Sequence, residues 1–376
     1  MSQTYPAKSE SMSKKTIYIA LAVIFLATSC SPNNGSRSVE SSTISWEDLQ
    51  ITPKSNENLC SDIPPEDLNW ENSKRDFTSG LFGGIYPDDL SNLDKLSDST
   101  LWVKANEHIL MKWRFWYPPN NEQPANLRLF ILLDEHQLEN ALPEPGAYND
   151  INLQKGDDIS LNVTLPPLAP GVHDIIAIGV PYPQEYPNEH GVVRLVSWRI
   201  TLIAKPLSSP FRNISFQSLP AEGSIQKNDP LIPLTLTLKK DGLDVWNWPN
   251  PWLDTNTNSS IEFFALAGHN YVENLDAPPL DELKASFFSL LILVDYQQIE
   301  IADNQMELYG KVDKDTAYSR IPIKLEHLSI GKHTVLILRI DTPGVPMCVL
   351  MGDRKGRILP NSIYGSLVGT NVLPLK

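Results

Sequence analysis

Residues 126–139 read NLRLFILLDEHQLE, and residues 287–300 read FFSLLILVDYQQIE. Slid by 161 positions, Leu129 falls on Leu290, Ile131 on Ile292, Leu132 on Leu293, Asp134 on Asp295, Gln137 on Gln298 and Glu139 on Glu300. A second pair of segments, 159–183 (ISLNVTLPPLAPGVHDIIAIGVPYP) and 319–343 (SRIPIKLEHLSIGKHTVLILRIDTP), aligns at an offset of 160. There Leu165 falls on Leu325, Leu168 on Leu328, Gly171 on Gly331, His173 on His333 and Pro183 on Pro343. The single residue of drift is what a loop change leaves. The period is too long for a solenoid unit and marks two copies of a whole module.

Each copy reads as strands. Leu129–Leu133 and Leu290–Val294 are continuous apolar runs, the pattern of central strands covered on both faces. The Asp after each run opens a turn. Leu161, Val163 and Leu165 alternate with polar residues, as do Ile321, Ile323 and Leu325, and period two means a half-buried strand. In 109–117, Trp113, Phe115 and Tyr117 share one face of a strand and are assigned to the core. The 31 prolines, several of them in pairs such as Pro118-Pro119 and Pro166-Pro167, punctuate these runs and disfavour long helices. The chain is therefore read as all-β, with enough short strands in each copy to build a sandwich.

A strand ending in Asp, a polar turn, an alternating strand, and then Leu-x-x-Gly-x-His (Leu168–His173 and Leu328–His333) resembles bacterial immunoglobulin-like and fibronectin type III-like modules. The resemblance covers about 60 residues of each half and concerns fold, since such modules host many functions. It implies two tandem Ig-like β-sandwich domains, placed at 76–205 and 206–376. The Cys-Trp-Cys pattern of antibody domains is not present.

The N-terminus reads as a targeting segment. Lys14 and Lys15 precede an uncharged run, Thr16–Thr28, which is too short to cross a bilayer as a helix and matches the apolar core of a signal peptide. The run ends in Ala27-Thr28-Ser29-Cys30, which resembles the lipobox of bacterial lipoproteins, with Ala27 where Leu is usual. The resemblance implies a signal peptide over 1–29 and a lipid on Cys30, anchoring the protein outside the cytoplasm on a cell membrane, or on an outer membrane where there are two. A flexible tether is expected over 30–75, because SPNNGSRSVESSTIS after Cys30 has few apolar residues to bury. With Cys30 lipidated, Cys60 and Cys348 remain. In an exported protein they can form one disulfide, and two buried thiols are the alternative.

The net charge of −14 argues against nucleic acid as a partner and against lying flat on anionic lipid. No nucleophile elbow, metalloprotease helix or phosphate-cradling loop occurs, so no catalytic residue, cofactor or metal ligand is assigned. The recurring His173 and His333 fit turn-closing residues better than ligands, since no shared Cys, His or carboxylate cluster accompanies them. Trp246, Trp248 and Trp252 lie within seven residues among prolines. Exposed, they can stack on sugar rings; buried, they fill a sandwich end or the space between modules. The expected function is a non-enzymatic binding or scaffolding module at the cell envelope, with an envelope protein or glycan as partner. The alternatives are a carbohydrate-binding lipoprotein acting through the three tryptophans, and an envelope hydrolase whose carboxylate pair sequence does not reveal.

Overall fold

The computed structural model describes residues 41–49, 53–56, 59–60, 82–88, 95–97, 99–120, 124–181, 195–224, 233–237, 252–256, 260–269, 285–301, 305–326, 328–351 and 363–373. Cys30, the segment 1–29 expected to be a signal peptide, Trp246 and Trp248 lie outside them. No helix among the described residues is long and apolar enough to cross a membrane.

In chain order the first half carries β1 (Ser41–Ser42), α1 (Trp46–Leu49), β2 (Phe82–Pro87), β3 (Lys95–Ser97), β4 (Thr100–Lys104), β5 (Ile109–Trp116) and β6 (Ala125–Leu133). It continues with β7 (His136–Gln137), β8 (Asn149–Leu153), β9 (Asp158–Leu165), β10 (Gly171–Pro181) and β11 (Val196–Lys205). The second half carries β12 (Phe216–Ser218), β13 (Glu222–Ser224), β14 (Thr235–Thr237), β15 (Trp252–Asn256), β16 (Ile261–Gly268) and β17 (Ser286–Val294). After these come β18 (Gln297–Ile299), β19 (Glu307–Val312), β20 (Thr316–Leu325), β21 (Gly331–Asp341), α2 (Met347–Leu350) and β22 (Ile363–Leu373).

Each half is a sandwich of one large and one small sheet. In the first, the order β3-β4-β11-β10-β6-β7, with β8 also on β6, faces β2-β5-β9. Between them lie Met111, Trp113, Phe115, Val163 and Leu165 from the small sheet and Leu129, Ile131, Ile175, Ala177 and Leu202 from the large one. In the second, β1-β12-β19-β17-β21-β22-β15, with β18 on β17, faces β13-β20-β16-β14. Phe263, Ala265, Ile321 and Ile323 meet Phe288, Leu290, Ile292, Val335 and Ile337 there. Apart from two four-residue helices, the described elements are all β-strands, arranged as two sandwiches. The two central antiparallel pairs keep the same register, Ala177 opposite Ile131 and Ile337 opposite Ile292, so the repeat is structural as well as sequential.

The apolar runs that mark β6 and β17 are covered on both faces, and the second cover is the other module. Odd positions of β6 (Leu129, Ile131) and even positions of β17 (Leu290, Ile292) fill their own sandwiches. The intervening Phe130 and Leu132 meet Leu291 and Leu293 across the seam, with Ile176, Ile178 and Val180 of β10 and Leu336, Leu338 and Ile340 of β21 beside them. Every residue in these two sets has its equivalent in the other at the repeat offset. The seam is thus self-complementary, like the contact of a two-fold dimer, but within one chain.

The tether expected over 30–75 needs correction for its described part. β1 pairs with β12. Leu49 and Leu59 are buried, with Ile44 and Trp46 packed against the same cluster, and the Trp46 ring lies 4.7 Å from that of Phe211. These apolar side chains, spaced beyond the polar run that follows Cys30, give the segment surface to bury and hold it as a strap on the body. Cys60 and Cys348 are joined in a disulfide, with Cα atoms 5.8 Å apart. Cys348 lies on α2, which the second module seats on the first: Cys348 N donates to Thr100 Oγ1 and Met347 N to Thr201 Oγ1, each at 3.0 Å.

Candidate functional site

Polar chemistry concentrates where the turns after β6 and β17 meet at the seam. Asp134-Glu135 and Asp295-Tyr296 are two-residue hairpin turns with both central residues at positive φ, 51° and 67° in one, 50° and 65° in the other. Such turns match strand twist but favour Asn-Gly, so side chains must hold these residues in place. The Asp does so in both copies. Asp134 accepts Asp174 N at 2.9 Å, and its Oδ2 lies 2.6 Å from His173 Nδ1. Asp295 accepts Thr334 N at 2.9 Å, and its Oδ2 lies 2.7 Å from His333 Nδ1.

Each histidine closes its turn at the other nitrogen too. His173 Nε2 faces Ala169 O and His333 Nε2 faces Ser329 O, each at 2.8 Å. With acceptors on both sides, either ring can donate twice only as an imidazolium. Burial lowers both pKa values, but the Asp hydrogen bonds and the facing carbonyls outweigh it, and both are raised. Gly171 and Gly331, at φ 148° and 134°, let the chain enter this turn; a Cβ would meet nothing at Gly331 and only His173 Nε2, at an ordinary 3.9 Å, at Gly171, so backbone conformation and not crowding excludes a side chain. The matched Leu-x-x-Gly-x-His segments are therefore pins that fasten β10 and β21 to the preceding hairpins.

Two glutamines then exchange bonds across the seam. Gln137 N donates to Gln298 Oε1 at 2.7 Å, and Gln298 N donates to Gln137 Oε1 at 2.8 Å. Gln137 Nε2 donates to Tyr296 O at 2.7 Å, and Gln298 Nε2 to Glu135 O at 2.9 Å. The pattern is reciprocal, so the local two-fold passes between them. Truncating either side chain strands the backbone N–H of the other. Gln137→Ala or Gln298→Ala is expected to cost about 2 kcal/mol each, and the double variant close to the sum, because each side chain bonds backbone groups that both substitutions leave in place. Urea midpoints of the four proteins measure this; a double variant that costs well short of the sum would mean that the first truncation already admits water to the partners of the second.

The symmetry fails at Glu135, whose counterpart is Tyr296. Glu135 is wholly buried. Its Oε2 accepts from Arg212 Nη2 and from Tyr309 OH, the latter at 2.9 Å, and Arg212 Nη1 donates to Asp134. Its Oε1 has no hydrogen-bond partner. Burial pushes the Glu135 carboxyl up; Arg212 pulls it down, Asp174 and Asp134 push it up further, and it settles at about 7. For Asp134, burial acts upward too, but the His173 hydrogen bond and the Arg212 charge outweigh it, and the net shift is down. On the Tyr296 side, the Arg128 guanidinium lies 4.1 Å from the Tyr148 ring and 4.7 Å from the Tyr296 ring, while forming two 2.7 Å hydrogen bonds to Asp150.

A third charged group ties the modules deeper in. Asp174 on β10 is fully buried and accepts Arg199 Nη2 at 2.9 Å, Thr201 Oγ1 at 3.2 Å and Gly344 N at 2.7 Å. Arg199 also donates to Asp341 O at 2.6 Å, at the end of β21, and to Thr342 O at 2.9 Å, the residue after it.

The acids do converge, as a hydrolase requires, but Glu135 and Asp174 have no exposure and every acid in the group is engaged by cations or backbone. A carboxyl so enclosed cannot reach a glycosidic bond. No cluster of three or more His, Cys, Asp or Glu fit to hold a metal occurs among the described residues. Cys60 and Cys348 meet, as above. Trp252 lies on β15, paired with Gly369 of β22, and Trp246 and Trp248 fall outside the described residues. Sequence reasoning passed over Glu135, Arg212, Tyr309, Asp174 and Arg199. Asp134 and Asp295 carried the available signal, recurring together with the His pair.

No family model matches this chain, and no curated protein matches it. Among solved structures, it is similar to fibronectin(III)-like modules of Clostridium thermocellum CbhA at 9% identity, covering 77% of this chain and 94% of that one with a TM-score of 0.18. It is also similar to BcpA, the major pilin subunit of Bacillus cereus, at 7% identity, with coverage of 79% and 69% and a TM-score of 0.21. A third is CBD12 from CALX1.2, at 7% identity, with coverage of 77% and 99% and a TM-score of 0.18. Superpositions this loose do not bear on the site.

Proposed function

We propose that this chain is a non-enzymatic binding or scaffolding lipoprotein of the cell envelope, anchored through Cys30, with the two sandwiches acting as one rigid head. The observation that carries the reading is the use made of the charged side chains. The acids that converge between the modules are spent on Arg212, Arg199, His173 and backbone N–H groups, which makes them a joint and not a reaction centre. An apolar seam, exchanged glutamines and a disulfide-bonded strap suit a body that must present fixed surfaces.

The anchor rests on the basic pair, the short apolar run and the small residues before Cys30. Two acyl chains hold a protein firmly at a bilayer, at about 0.8 kcal/mol per buried methylene. Cells fed a clickable palmitate analogue are expected to label the wild-type protein and to retain it in the membrane fraction. Cys30→Ser should lose the label and become soluble. A Cys30→Ser protein that stays labelled and membrane-bound would overturn the assignment.

A further inference from the structure

Glu135 belongs physically to the inter-module joint, since its backbone carbonyl accepts Gln298 Nε2. Its side chain faces Arg212 from the connection after β11, Tyr309 from β19, Asp134 on its own turn and Asp174 on β10. Around these stand His173, bonded to Asp134, and Glu307, two residues from Tyr309, with His136 Nδ1 at 3.5 Å from it. Oε2 has two donors and Oε1 has none. A buried carboxylate oxygen without a donor is expensive, and a proton on the group lowers that cost by removing the charge.

We propose that the Asp134–Glu135 turn is a proton-operated latch between the two modules, shut while Glu135 is neutral and loosened when it ionises. Ionised, Glu135 keeps Arg212 as its counter-charge but leaves Oε1 without a donor and adds a like charge beside Asp134 and Asp174, and relief requires the turn to yield or water to enter. The counterpart Tyr296 brings no such charge, so the latch acts on one side of the two-fold.

The shift of Glu135 agrees. Its folded pKa, about 7, lies above the 4.5 of a free carboxyl, so the folded chain holds the proton more tightly. That contribution to stability is fully present below about pH 4.5 and is lost as pH rises through about 7. His173 and His333, raised above their ordinary 6.5, act in the same direction, stabilising the fold below that value and less above it. His269, which burial lowers, acts oppositely, but it contacts Ser286 and Asp313 O and not the turn. Asp134 stays ionised over this range.

The test is hydrogen–deuterium exchange of the full chain at about pH 5.5 and about pH 8, expressed as protection relative to the intrinsic rate at each pH. Peptides spanning 127–138 and 290–299 are expected to lose protection about tenfold, the worth of about one pKa unit, while peptides from β5 and β16 change little. Glu135→Gln cannot ionise and should keep most of that protection at the higher pH. An equal loss in Glu135→Gln and wild type would overturn the proposal. Should the variant not fold, the wild-type chain decides: seam protection that does not change with pH, or a loss equally large in β5 and β16, is fatal to it.

Discussion

Asp174→Ala is expected to lose about 4 kcal/mol of stability, in the range found when one partner of a buried ion pair is removed. Asp174 has no exposure, and the Arg199 guanidinium it faces is almost as buried. Arg199 would keep its bonds to Asp341 O and Thr342 O but lose its counter-charge, and Thr201 Oγ1 and Gly344 N would lose an acceptor. The uncompensated cation dominates the cost, because the carbonyls that remain carry no full charge. Asp174→Ala/Arg199→Met should therefore recover a large part of the loss, since an apolar side chain of similar length can fill the space without a charge to bury. Urea unfolding of the three proteins checks both statements. A loss below about 1 kcal/mol for Asp174→Ala would show that water reaches Arg199.

That hub was not legible in the sequence, and the reason is specific. The repeat flags positions at which both copies keep the same residue, whereas Asp174 matches Thr334 and Glu135 matches Tyr296. The polar joint is asymmetric, so a search for recurrence skips it. What recurs is what each module needs for itself: the Asp of the turn, the Gly at positive φ and the His that pins the next strand. Gln137 and Gln298 recur as well, but a polar residue after a turn reads as solvated until a symmetry axis is placed between the two. The strands were readable from alternation at 161–165 and 321–325. The continuous runs at 129–133 and 290–294 announced two covered faces. They could not say what covers the second face, because a helix layer, another sheet and a sister module all ask for the same apolar residues. The strap was misread for a related reason: Ile44, Trp46, Leu49 and Leu59 are too sparse to show a period, though together they are enough to dock.

Removing the Cys60–Cys348 bridge by the double substitution Cys60→Ala/Cys348→Ala is expected to cost up to about 5 kcal/mol, through a different state of the chain. The bridge spans 288 residues, which include most of both modules, so the unfolded chain it constrains is nearly the whole protein. The loop-closure relation grows only logarithmically with length, but at this length it already exceeds the usual 2–4 kcal/mol. In the folded state both cysteines lie in an apolar cluster with Leu49, Leu59, Trp102 and Met347, where alanine leaves a small void and no unpaired polar group. The effect should appear as a lower urea midpoint. Cleavage by a protease in the 50–60 region should also become faster, since Cys60 holds the strap to α2. An unchanged midpoint would mean that the strap and α2 stay together without the bond even when the rest unfolds. Because the bridge restricts the unfolded chain while Asp174 acts within the folded one, combining Asp174→Ala with the double cysteine variant should give a loss close to the sum. A shortfall would trace to Thr201, whose hydroxyl bonds both Asp174 and the backbone of Met347 and so belongs to the two sites at once.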